Sequence, residues 1–273
     1  MSTTRASHAA WNEVDRTDDP QFFVRFLDTT RAPAAAMARQ NPAAFFAYLD
    51  VQPGQTVLDG GCGLGEMARL IAGLVGPSGR VVGVDFSETM VQEARRRSEG
   101  TNLPVEFRQG DIMALDLGDD TFDRARVEQV LQHVPRPEKG LAELYRVTKP
   151  GGRVAVLEPD WDTAVIDAGD IEMSRQFTRF NSDSIAHGRI GRQLPRLFKE
   201  AGLVDVEVAP RVIAPPYPAI REWITSNVDR AVGQGVMEES RARAWLDDLA
   251  ARDRAGLFFA AFVMFQVTGT VAV

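Results

Sequence analysis

One nine-residue run carries the densest chemistry in the sequence: Val57-Leu58-Asp59-Gly60-Gly61-Cys62-Gly63-Leu64-Gly65. An apolar segment ends in a carboxylate, and glycines then alternate. Glycine lets the backbone turn sharply and approach a ligand closely. A helix starting after Gly65 would present unsatisfied N–H groups that suit a carboxylate, while Asp59 attracts a cation. The pair therefore suits a ligand bearing both a carboxylate and a positively charged amine or sulfonium, and it would repel a pyrophosphate. Gly63, Gly65 and Ala68 also fit G-x-G-x-x-A, so spacing alone leaves a nicotinamide-dependent oxidoreductase open. Asp59 counts against that alternative.

Two more carboxylates fall at comparable places. Asp85 closes Val82-Gly83-Val84-Asp85 and is placed to accept from both hydroxyls of a ribose. Asp111 follows Gln109-Gly110 and is placed to accept from an adenine amino group, with Phe86 and Ile112 on the two faces of the ring. Beyond them, His133 in Val130-Leu131-Gln132-His133-Val134 is the candidate general base, because histidine alone has an unperturbed pKa near neutrality. His187 is a weaker candidate, and His8 is given no role. The cluster Glu158-Pro159-Asp160-Trp161-Asp162 is expected to face the same pocket. Glu158 or Asp160 would act as base or orient a substrate, and Trp161 would offer a flat surface. No histidine stands beside these acids at metal-ligand spacing, so no metal is expected.

Positioning these residues requires regular strand–helix alternation. Short apolar strands are predicted at Thr56 to Leu58, Arg80 to Val84, Val105 to Phe107, Phe122 to Val127 and Arg153 to Leu157. Between them, Glu66 to Val75 has Met67, Leu70, Ile71 and Leu74 on one stripe. Ser87 caps a second helix, and Leu141, Leu144 and Tyr145 mark a third. This rhythm implies a mostly parallel sheet with helices on both faces, and ligands beyond the carboxyl ends of the strands. After Glu158 it loosens. Helices are predicted at Ile171 to Ile185, Gln193 to Ala201 and Arg221 to Arg254, with a strand at Val204 to Val208. Pro215, Pro216 and Pro218 punctuate a loop. At the other end, Phe22, Phe23, Phe26 and Leu27 mark a helix bounded by Pro20 and Pro33.

Asp59 to Gly65, Asp85, Asp111 and the turn Lys149-Pro150-Gly151-Gly152 resemble the class I S-adenosylmethionine (SAM)-dependent methyltransferases. Within them the chain is similar to the ubiquinone/menaquinone-biosynthesis group, over about Asp50 to Leu157. The resemblance implies an α/β fold with a seven-stranded, mostly parallel Rossmann-like sheet whose last strand is antiparallel, a role that suits Phe258 to Val267. It implies SAM as cofactor and methyl transfer to a small organic acceptor. Asp59 and Gly61 would border the methionine part, with Gly63 and Gly65 completing the loop, Asp85 the ribose and Asp111 the adenine. Arg31 and Glu128 join the cofactor set, Arg31 as a reach to the methionine carboxylate. A non-catalytic SAM-binding subunit that activates a partner remains the other alternative.

One stretch departs from that group. Its fourth strand is usually apolar, whereas Phe122-Asp123-Arg124-Ala125-Arg126-Val127-Glu128 contains two arginines. Arg126 would either bind an anionic substrate group or pair with Glu128, and pairing is favoured.

The whole chain agrees with a small-molecule enzyme. Its 273 residues divide into an N-terminal helical cap (1–45), a cofactor-binding core (46–160) and a completion of the sheet (161–273) with helical lid insertions near 162–193 and 215–254. Trp161, Phe26, Phe180 and Trp223 are expected to line an apolar acceptor site. A net charge of -7 argues against nucleic acid as a partner. A single cysteine fits a reducing compartment, and Met1 to His8 lack an apolar run, so a cytoplasmic location is expected. Ala255 to Val273 is apolar but interrupted by Gln266, Thr268, Gly269 and Thr270, which reads as a buried strand and not a membrane span.

Overall fold

The structure, a computed structural model, describes residues 11–273; His8 lies outside them. Seven strands form one sheet: β1 (Thr56–Gly60), β2 (Arg80–Asp85), β3 (Val105–Gln109), β4 (Phe122–Glu128), β5 (Thr148–Ile166), β6 (Leu203–Ile213) and β7 (Ala260–Val271). Their spatial order is β3-β2-β1-β4-β5-β7-β6. Only β7 runs against its neighbours, pairing antiparallel with both β5 and β6. Strand order reverses beside β1, so the carboxyl ends of β1 and β4 diverge into a crevice suited to a ligand.

Helices α1 (Pro20–Gln40), α2 (Pro42–Phe45), α3 (Glu66–Val75), α4 (Glu88–Arg96), α5 (Pro137–Val147), α6 (Ile171–Asp183), α7 (Ile190–Glu200), α8 (Tyr217–Gly233) and α9 (Glu239–Arg254) surround the sheet. On one face, Leu58, Val127, Val154 and Val156 pack against α5 and α7 through Leu141, Leu144, Leu194 and Phe198. On the other, Val57, Val81, Ala155 and Leu157 meet α3 through Met67, Ile71 and Val75. Burying each such side chain contributes ~1.5–3 kcal/mol before entropy is counted. The lid has its own core, with Phe177, Ile224, Val228 and Trp245 packed between α6, α8 and α9.

Four elements differ from the sequence reading. Helix α1 does not stop at Pro33 but continues to Gln40. The proline ring sits on the exposed side, while Ala35 and Ala38 are buried against the core and hold the helix together. The region expected as one helix from Arg221 divides into α8 and α9, separated at Gly235, whose φ of 70° is left-handed. Pro218 lies in the first turn of α8 and not in a loop, as its missing N–H allows. Strand β5 passes Leu157 and continues to Ile166, because β7 is long enough to pair with it that far.

Candidate functional site and family membership

The crevice opens into a cavity of about 1140 Å³ reaching from the β1–α3 loop to the lid. At one end lie Asp59, Gly61, Gly63, Asp85, Phe86, Asp111 and Ile112, brought together from the ends of three adjacent strands. Gly61 has φ 66°, and a Cβ there would stand 2.0 Å from Val130 Cγ2, so only glycine fits. The Gly63 N–H donates to Asp85 Oδ2 (2.8 Å), which ties the loop to β2. Gly65 does not line the cavity. Its role is packing, since a Cβ there would collide with the Phe107 ring at 2.5 Å.

Asp85 also accepts from the Ser87 N–H (3.0 Å). Burial pushes its carboxyl up to about 6, against the pull of those two N–H groups. Asp111 Oδ1 accepts from the Met113 N–H (2.8 Å), so it shapes its own turn as well as facing the cavity. Phe86 is 57% exposed on one side and Ile112 is buried on the other. The N-terminal segment closes over this end. Asp15 accepts from Ser87 Oγ (2.7 Å), Glu88 N–H (2.8 Å) and Thr89 N–H (3.1 Å), and so caps α4 from outside.

Asp59 is 1% exposed. Its Oδ1 accepts from Arg126 Nη1 (2.7 Å), and its Oδ2 has no partner. Arg126 also pairs with Glu128, and its Nε donates to Tyr48 Oη (3.2 Å). The pairing expected from sequence is therefore present, and Asp59 joins it. Arg31, from α1, pairs with Glu128 (2.5 Å). Burial alone would raise the Glu128 carboxyl, but the Arg31 and Arg126 guanidiniums hold it at about 2. The sequence reading missed the Asp59–Arg126 contact. The available signal was the period-2 run Arg124-x-Arg126-x-Glu128, which puts all three on one face of β4. Arg124 on that face is met by the Leu49 and Asp50 carbonyls and the Asp50 carboxylate.

The far end of the cavity is aromatic. The Trp161 ring lies 5.5 Å from Trp223 and 4.8 Å from Phe262, and its Nε1 donates to Gln132 Oε1 (2.8 Å). Phe26 and Trp11 approach from the N-terminal side, with Trp11 5.7 Å from Phe26 and 6.1 Å from His133. His133 lines the cavity beside Trp11, and burial lowers its pKa to about 4. Gln132, unnoticed in the sequence, holds this region together. Its carbonyl accepts from the His187 N–H (3.0 Å), which fixes His187 as a backbone strut between lid and core.

Besides Gly65, three expected site residues lie outside the cavity lining. Glu158 and Asp160 do not line the cavity, because side chains alternate along a strand and β5 continues through them. Leu157 and Trp161 line the cavity, and Glu158 and Asp160 take the opposite face of the strand. Glu158 accepts from the Val130 (2.8 Å) and Leu131 (2.6 Å) N–H groups, and so pins the turn that carries His133. Burial pushes its carboxyl up to about 8 despite those contacts. Asp160 is fully buried and paired with Arg192 of α7. Phe180 belongs to the lid core, under the Arg230 guanidinium 5.0 Å from its ring, and does not reach the cavity. Among the described residues, no group of three or more His, Cys, Asp or Glu is arranged to hold a metal ion.

This geometry agrees with what the chain matches. Residues 52–202 match the family described as "Methyltransferase domain". The chain belongs to the class I SAM-dependent methyltransferases. The methyltransferase is 43% identical over 249 residues to an uncharacterized 37.1 kDa protein of transposon Tn4556 from Streptomyces fradiae, covering 89% of this chain and 70% of that one. It is 33% identical over 186 residues to a demethylmenaquinone methyltransferase from Symbiobacterium thermophilum, covering 60% of this chain and 74% of that one. Its fold is shared with the YcgJ protein from Bacillus subtilis, with a TM-score of 0.60 at 19% identity over 84% of this chain and 97% of that one.

The residues fit the cofactor of this methyltransferase. Buried Asp59 Oδ2 lacks a partner, as an atom awaiting an ammonium would. Gly61, with a positive φ and no room for a Cβ against Val130, brings bare backbone to the cavity wall. A nicotinamide dinucleotide, left open by glycine spacing alone, is set aside by the family match.

Proposed function

We propose that this methyltransferase modifies a small, partly apolar and planar acceptor. The acceptor stacks against Trp161 and Trp223, and His133 serves as its base. The supporting observation is a single cavity with an acid-and-glycine end for SAM and an aromatic end for the acceptor, with His133 on its wall. SAM supplies an electrophilic methyl group on a sulfonium. In this reading Asp59 takes the aminoacyl ammonium, Asp85 the ribose hydroxyls and Asp111 the adenine amino group, while Phe86 and Ile112 flank the ring. The ionic contact between Arg31 and Glu128 closes α1 over the methionine end.

The aromatic walls exclude water and align the acceptor with the methyl carbon. Such positioning can supply up to ~7–11 kcal/mol of the barrier reduction. His133 is neutral above its lowered pKa, so its lone pair is available to take a proton from a hydroxyl or an acidic C–H. The curated relative from Symbiobacterium thermophilum acts, by its name, on demethylmenaquinone, and an acceptor of that planar, apolar character suits the tryptophan wall. The acidic balance of the chain supports a small-molecule partner over nucleic acid. Among the described residues no helix is long and apolar enough to cross a membrane, in keeping with a cytoplasmic location.

The direct test is to incubate the protein with methyl-labelled SAM and a panel of planar hydroxylated, quinol-type and amine acceptors. Label should pass to one of the planar apolar acceptors. Tight SAM binding without transfer to any acceptor, together with co-purification of a second chain, would instead make the protein an accessory SAM-binding subunit.

A further inference from the structure

A buried arginine is tolerated only when its charge and donors are matched. Arg126 is 2% exposed in the middle of the sheet, and its guanidinium is divided among three partners. One Nη donates to Asp59, the other to Glu128, and Nε to Tyr48 Oη. Asp59 and Arg126 are directly opposite in the β1–β4 register, so both side chains rise from the same face. Glu128 is held in turn by Arg31. The charges alternate from β1 to α1 as Asp59, Arg126, Glu128, Arg31, and they sum to zero.

We propose that Arg126 is a positioning residue for the methyl donor: by tying down Asp59 Oδ1 and keeping that carboxylate charged inside the sheet, it leaves Oδ2 aimed for the donor's ammonium. This rests on the reading of the glycine-loop end as the SAM site.

The chemistry is asymmetric. Burial raises the Asp59 carboxyl, and Arg126 opposes that rise. With Arg126 removed, Asp59 is left in the same dry place with Glu128 nearby, and two like charges there favour taking up a proton. A protonated Asp59 no longer attracts a cation.

The groups facing Asp59 from its surroundings are Arg126 and Glu128 on β4, Arg31 on α1, Tyr48 before β1, Cys62 in the glycine loop and Asp85 on β2. Burial pushes Tyr48 and Cys62 upward, so both stay neutral near pH 7. Glu128 stays charged. Burial, with the Asp59 charge as a smaller cause, pushes Asp85 up to about 6, so taking the ratio of the two affinities removes the burial-driven share that both proteins have in common.

The experiment is calorimetric titration of SAM into the full chain between pH 6 and pH 7.5, with thermal melts to confirm folding. Arg126→Met is expected to bind at least ~30-fold more weakly than the natural protein at pH 6, the deficit shrinking by up to about tenfold per pH unit as Asp59 loses its proton. Arg126→Lys keeps the cation and should stay within about threefold at every pH. Where Arg126→Met does not fold, Arg126→Gln, which removes the charge but keeps a polar side chain among the same partners and leaves Glu128 and Arg31 paired, carries the same measurement. A deficit that is absent, or equal at all pH values, would overturn the role of Arg126. Failure of the natural protein to bind SAM at any pH would instead overturn the site assignment on which the proposal stands.

Discussion

Residues in this cavity are set for their tasks chiefly by being taken out of water. Burial lowers the His133 pKa to about 4, so the imidazole is already neutral at physiological pH and its lone pair is free to accept, although the same burial makes it a weaker base. With SAM and acceptor saturating, kcat should therefore stay level from pH 8 down to about 5 and fall only as pH drops through about 4. His133→Ala should reduce kcat by ~10²–10⁴ while leaving the SAM dissociation constant unchanged. Turnover at the natural rate in that variant would remove the base assignment. Asp85 is pushed the other way, to about 6. Its charged form prevails above that value, so SAM affinity should weaken as pH falls through 6. Asp85→Asn should abolish that step in a calorimetric pH series, and Asp85→Ala should weaken SAM binding at least about tenfold.

Secondary-structure elements decide which of the candidate residues meet. The alternation of β5 sends Trp161 to the cavity and Asp160 away from it, where the buried carboxylate pairs with the half-exposed Arg192. Arg192→Met leaves that carboxylate without its cation, and denaturant melts should register a loss of roughly 1–3 kcal/mol, since the half-exposed guanidinium is screened by water. The acceptor KM should stay at its natural value, whereas a rise would return Asp160 to the site. The cluster after Leu157 was misjudged in sequence because Pro159 and the surrounding acids resemble a loop. Only the length of β7, visible as a partner in space, shows that the strand continues. Pro33 misled in the same way, since local preference marked a helix end and the burial of Ala35 and Ala38 overrode it. By contrast, the glycine loop, Asp85 and Asp111 were legible. Each stands at the end of a short apolar run, and the parallel register of β1, β2 and β3 carries those ends to one edge.

Across the molecule, the division of labour follows the separation of the sheet's cores from that of α6, α8 and α9. The sheet with α3 and α4 holds Asp59, Asp85 and Asp111, the acids proposed for the donor, while the separate lid core holds Trp223 over Trp161. Changes in the lid should therefore act on one substrate alone. Trp223→Ala is expected to raise the acceptor KM several-fold with SAM affinity unaltered, measured by initial rates and by calorimetry on the same preparation. Equal weakening of both would mean that the two ends of the cavity are not independent. The lid was the least legible part of the sequence, because its aromatics serve core and cavity alike. Phe177 and Phe180 are three residues apart on one helix, yet only Phe177 lines the acceptor end.

The placement of β7 carries a consequence for biosynthesis. It comes after the other six strands in sequence, yet it lies between two of them and supplies β6 with its sole neighbour in the sheet. A chain emerging from the ribosome can assemble β1 to β5 early, but β6 has nothing to zip onto until residues 260–271 clear the exit tunnel. Until then its valines and its unpaired backbone stay open to chaperones or to other nascent chains.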